Sequence, residues 1–118
     1  MKKILLVEDE EVLVRLIKRL LGDRYELFIA NSLQQGMDLL SSNVFDLLIT
    51  DWRLKDGNAS GLLREANKRY PGLRCILVTG FLETDEFKQD ISGFTFCARF
   101  QKPFDIDEFQ AAVDKYLS

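Results

Sequence analysis

"LLITDWRLKDG", residues 47–57, starts as a run of core-forming residues and ends on charge. Leu47 to Thr50 read as the end of a strand buried on both faces, and Asp51 stands where the apolar run stops. Lys55, Asp56 and Gly57 follow with the residue types of a turn. A buried strand that delivers a carboxylate to its C-terminal end fits a parallel α/β sheet, because ligands of such sheets bind outside the carboxyl ends of the strands.

The chain on either side repeats the pattern. "KILLV" (3–7), "YELFIA" (25–30), "FDLLIT" (45–50) and "LRCILVT" (73–79) read as strands, and "FTFCARFQ" (94–101) alternates as a strand does when one face is wetter. Between them lie helical patterns. Residues 10–22 carry Leu13, Leu16, Ile17, Leu20 and Leu21, with Gly22 at the stop. Asn31 or Ser32 caps a second helix with Leu33, Gly36, Met37 and Leu40 on one face. Residues 59–69 form a third helix and 83–91 a weak, acidic fourth. Asp105 and Glu108 make a capping box for the fifth, with Phe104 stapled onto Phe109. Five strands alternating with five helices predict a doubly wound parallel sheet.

The 118 residues fit one domain, 1–118, with 47% hydrophobic and 30% charged residues and a net charge of −3. No stripe of Lys or Arg points to nucleic acid as a direct partner, and no apolar stretch is long enough to span a membrane. Cys75 and Cys97 lie in apolar segments without metal-ligand spacing, and free thiols of that kind indicate a cytoplasmic protein. Histidine is absent, so any chemistry runs on carboxylates, lysine, hydroxyls or a bound ion.

Four of the five strand ends carry compatible groups: Glu8 and Asp9, then Asp51, then Thr79, then Lys102 before Pro103. Each has a plain structural reading on its own. Glu8 and Asp9 suit the first turn of a helix, Asp51 a turn, Thr79 a strand end, and Lys102 a solvated position ahead of a helix. Their convergence changes the reading. Close carboxylate pairs repel by ~4 kcal/mol at an effective dielectric near 20, so either their pKa values rise or a cation sits among them. Hard oxygen ligands suit Mg²⁺. A hydroxyl and an ammonium beside them suit a phosphoryl group, and a carboxylate can serve as its nucleophile.

Together "ILLVEDE", "LLITDWRL", "ILVTG" and "QKPF" resemble, over essentially the whole chain, the receiver domain of two-component response regulators. The resemblance implies a flavodoxin-like fold with strand order 2-1-3-4-5. It implies Asp51 as phosphoacceptor, and Glu8, Asp9 and Asp51 serving Mg²⁺ with the backbone carbonyl of Arg53. Thr79 becomes the switch hydroxyl and Lys102 the lysine that meets the phosphoryl group. A sensor histidine kinase or histidine phosphotransfer protein becomes the donor, with no enzymatic role beyond self-phosphorylation and autodephosphorylation. The chain departs from the family pattern at Lys55, where Pro is usual, at Ala59, where Gly is usual, and at Arg99, where an aromatic residue is usual. Two other readings compete. An aspartyl-phosphate phosphatase or phosphotransferase usually has a second Asp two residues after the nucleophile, where this chain has Arg53. A receiver-like module that only binds usually lacks one of the acids or the lysine.

Overall fold

The computed structural model describes residues 1–80 and 84–118. In chain order the elements are β1 (Lys3–Val7), α1 (Glu11–Leu21), β2 (Glu26–Ala30), α2 (Leu33–Ser42), β3 (Leu47–Thr50), β4 (Arg53–Leu54), β5 (Gly57–Asn58), α3 (Ser60–Arg69), β6 (Arg74–Thr79), α4 (Asp85–Ile91), β7 (Ala98–Gln101) and α5 (Ile106–Leu117). Five strands pair in parallel in the order β2-β1-β3-β6-β7, which is 2-1-3-4-5 when only those five are counted.

Alternation along the central strands explains the two faces. Leu5, Val7, Leu48 and Leu77 point into one core cluster, covered by Leu40 of α2, Leu62, Leu63 and Ala66 of α3, and Phe87 and Ile91 of α4. Ile4, Leu6, Leu47, Ile49, Ile76 and Val78 point into the other, covered by Leu13, Ile17 and Leu21 of α1 and by Phe109, Val113 and Leu117 of α5. Each fully buried Leu or Ile side chain contributes about 2 kcal/mol by leaving water, so both faces must be covered for the fold to hold. Ser32 caps α2 by accepting the Gln35 N–H at 3.1 Å, and Asp105 caps α5 by accepting that of Glu108 at 2.9 Å. Phe104 packs on Phe109 with ring centroids 4.9 Å apart. Cys75 and Cys97 are free thiols, the first buried and the second half-buried.

Register decides what meets at the strand ends. Val7 lies opposite Ala30 and Thr50, and Thr50 opposite Leu77. Glu8 and Asp51 are therefore level, one residue past their pairs. Thr79 pairs with Gln101, which puts Lys102 immediately beyond.

Two features differ from the sequence expectation. The last strand spans Ala98–Gln101 rather than 94–101. Phe94 and Phe96 pack instead against the core beneath α4, and pairing begins where the Cys97 N–H meets the Cys75 carbonyl at 2.9 Å. The turn after Asp51 is also more ordered than a plain loop, because β4 and β5 form a two-residue antiparallel hairpin. Gly57 closes it at φ 134°, a conformation that side chains disfavour. Ala59, where a Gly was expected from the family pattern, sits buried at φ −79°, which any residue adopts. The acidic helix expected over 83–91 runs from Asp85 to Ile91, capped by Thr84, and residue 83 is outside the described residues.

Candidate functional site

Glu8, Asp51 and Thr79 are 1%, 7% and 6% exposed, which makes them three of the four buried polar residues among those described, with Thr50 the fourth. Buried carboxylates need partners, and here one cation serves two of them. The Lys102 ammonium lies 2.8 Å from Glu8 Oε1 and 2.8 Å from Asp51 Oδ2. The other Asp51 oxygen, Oδ1, accepts the Trp52 backbone N–H at 2.7 Å. The Lys102 backbone N–H donates to the Thr79 carbonyl at 2.8 Å, which fixes the lysine against the end of β6. Of the residues singled out in the sequence, the fold brings the side chains of Glu8, Asp51 and Lys102 together and sets Thr79 beside them through its backbone carbonyl.

Asp9 and Arg53 stand at its edge. Asp9 Oδ2 accepts the Lys55 N–H at 3.0 Å and so ties the loop after Asp51 to the end of β1. Arg53 is exposed at the start of β4. Among the described residues no three carboxylates converge as a metal cage. Glu8 and Asp51 share the Lys102 ammonium, whereas Asp9 accepts a backbone N–H and makes no contact with the lysine. The donor set still fits Mg²⁺. Asp9, Asp51 and the Arg53 carbonyl offer hard oxygens next to one another in sequence and register.

The electrostatics follow from burial. Burial pushes the Glu8 carboxyl upward, which the Lys102 hydrogen bond and the Glu10 backbone N–H only partly counter. Burial works against the Lys102 ammonium too, but the hydrogen bonds and charges of Asp51 and Glu8 outweigh it and raise its pKa. Lysine thus stays charged and holds the acids.

Three participants were not read from the sequence. Glu10 Oε2 lies 3.2 Å from the Lys102 ammonium. Trp52 supplies the N–H on Asp51, and its buried ring packs on Phe87 and Phe94 at 6.2 and 6.1 Å. Asp56 accepts the N–H groups of Leu33 and Gln34 at 2.9 and 3.1 Å, capping α2 from a distance. Those backbone bonds, Leu33's above all, pull the Asp56 carboxyl below its ordinary range. The residues that looked like a simple turn, Lys55 to Gly57, therefore pin the loop beside Asp51 to two other elements.

The family described as response regulator receiver domain matches residues 4–114. The sporulation initiation phosphotransferase F of Bacillus subtilis is 29% identical over 119 residues, covering 98% of this chain and 94% of that protein. The alginate biosynthesis transcriptional regulatory protein AlgB of Pseudomonas putida is 32% identical over 116 residues, covering 98% of this chain but only 26% of that protein. Among solved structures, the response regulator TrrA of Thermotoga maritima, in complex with Mg²⁺-BeF, superposes with a TM-score of 0.82. It is 26% identical, with 98% of this chain and 99% of that chain covered. No described helix is long and apolar enough to cross a membrane.

Proposed function

The chain belongs to the response regulator receiver domains, which are signalling modules, and from that premise we propose that Asp51 is its phosphoacceptor. A histidine kinase or histidine phosphotransfer protein is the donor, and residues 1–118 act as one receiver unit. The observation that carries this is the Asp51 carboxylate itself. It is buried at a strand end, with one oxygen on a backbone N–H and the other on the Lys102 ammonium.

The chemistry balances within these groups. An Asp51 oxygen attacks phosphorus, the bond from phosphorus to the donor imidazole nitrogen breaks, and that nitrogen leaves with the electron pair. Lys102 exchanges its bond to Asp51 for one to a phosphoryl oxygen, and the Thr79 hydroxyl donates to another. Glu8, Asp9, Asp51 and the Arg53 carbonyl would hold Mg²⁺, and the ion would supply positive charge to the phosphoryl oxygens. Water later attacks phosphorus, returning Asp51 and inorganic phosphate. Free Cys75 and Cys97 support a cytoplasmic setting. The phosphatase reading is not favoured, since Arg53 occupies the place of its second acid. The binding-only reading is not favoured either, because the acids and the lysine are all present.

Incubation with acetyl phosphate and Mg²⁺ should add one phosphoryl group by intact mass. It should add none in Asp51→Asn or without Mg²⁺. Equal labelling of Asp51→Asn would remove Asp51 from the role.

A further inference from the structure

An ammonium has three N–H donors, and three carboxylates stand around that of Lys102. Glu8 and Asp51 lie at 2.8 Å and Glu10 at 3.2 Å. The first two already have places in the proposed chemistry, and Glu10 has none. Its side chain is 56% exposed. It rims a groove of about 420 Å³ between the starts of α1 and α5, with Val12, Leu16, Pro103 and Phe104. Glu10 is nevertheless tied to the cluster twice. Its backbone N–H donates to Glu8 Oε2 at 3.1 Å, while its carboxylate faces the lysine.

We propose that Glu10 is a positioning residue for Lys102: it completes a three-carboxylate clasp that holds the ammonium across Asp51 Oδ2 in the unphosphorylated protein. Glu8 and Asp51 are buried and fixed, whereas Glu10 is the solvent-facing arm. The clasp therefore opens on the Glu10 side, and each opening leaves Asp51 Oδ2 accessible to phosphorus. The idea rests on the roles given to Asp51 and Lys102 above.

The test reads hydrogen exchange of the Lys102 ammonium by ¹⁵N NMR, in the unphosphorylated, metal-free protein. Losing a half-exposed ion-pair partner shifts such an equilibrium about two- to fivefold. Glu10→Ala should speed exchange by that factor. Glu10→Gln, which keeps an acceptor oxygen, should fall between it and the parent. Glu11→Ala should leave exchange unchanged, since Glu11 is 86% exposed and pairs with Arg15. At saturating Mg²⁺, Asp51 labelling by acetyl phosphate should rise by the same factor in Glu10→Ala. Parental exchange in Glu10→Ala overturns the clasp. Faster exchange with an unchanged labelling rate overturns the positioning role. Absence of labelling in the parent would instead strike the functional reading, because exchange is measured without a phosphoryl donor.

Discussion

At the C-terminal ends of β1, β3 and β6 the polar side chains are buried and paired, while on the α4–β7 side of the same sheet they face water. Glu8 and Asp51 share one ammonium at 2.8 Å each. By contrast β7 alternates half-buried and exposed residues, and α4 has only seven residues. A groove of about 460 Å³ opens between them, lined by Lys88, Ile91, Phe94, Phe96 and Arg99. The difference is one of physical demand. Phosphoryl chemistry needs fixed distances, which burial and full pairing enforce. A surface that changes with state is drawn from elements of low local stability. Trp52 spans the two regions, with its N–H on Asp51 and its ring against Phe87 and Phe94.

The contrast breaks most readily at Lys102. Removing one member of a buried charge cluster leaves the others uncompensated, and the cost is about 3 kcal/mol. Lys102→Ala should lose about that much in urea denaturation at neutral pH and remain folded. If Mg²⁺ occupies the proposed site, it should then stabilise the variant more than the parent, because it would offset the charge that the ammonium supplied. A variant as stable as the parent would mean that Glu8 and Asp51 do not depend on the lysine.

The same contrast explains what the sequence made legible. β1 and β3 are apolar on both faces, so their ends could be located and the acids beyond them counted. Ser32, Asp105 and the Phe104–Phe109 staple carry their signals within a few residues, and each was readable. Glu10 was not, because it looks like a first-turn acid of α1 and its contact with Lys102 spans 92 residues. Asp56 hid in the same way, bonding Leu33 across 23 residues. The fifth strand was read too long because the alternation begins at Phe94, before the point where β6 offers partners. The local pattern held, and tertiary pairing set the boundary.

A subtler test sharpens the electrostatic side of the comparison. The folded-state pKa of Glu8 is raised above its ordinary 4.5, chiefly by burial. Below 4.5 the group is protonated in both states and costs nothing. Between 4.5 and the folded value, the native state holds a proton that the unfolded chain has released, so stability falls as pH rises. The slope from this one group is at most about 1.4 kcal/mol per pH unit. Asp56 and Glu65, whose pKa values are lowered, act with the opposite sign and at lower pH. Denaturation of the parent from pH 4.5 upward should show the decline, and Glu8→Gln should lack it. Identical profiles would mean that the buried carboxyl is not the source.

The smallest expected effect lies at Arg99, in the region where sequence and structure constrain least. Arg99 is exposed on β7, opposite Leu77, in the place where receivers usually carry an aromatic residue. An aromatic ring there can move into an apolar slot, but a guanidinium with five donors cannot do so without partners. Arg99 is therefore expected to stay at the surface and act by charge, with Asp85 and Glu86 of the neighbouring helix as its opposite charges. Glu83, a third acid of the same stretch, lies outside the described residues. Exposed pairs are worth only ~0.2–1 kcal/mol, so Arg99→Ala should change stability by no more than about 0.5 kcal/mol. Its effect should appear instead in communication. Beryllofluoride with Mg²⁺ should shift backbone resonances along 84–101 in the parent, and those shifts should shrink in Arg99→Ala. The rival role for Arg99 is protective, since β7 is an edge strand and edge charges discourage strand-to-strand aggregation. That role predicts unchanged shifts and concentration-dependent self-association of the variant by sedimentation. Unchanged shifts would take Arg99 out of the switch, leaving the Trp52 contacts with Phe87 and Phe94 as the path from Asp51 to α4.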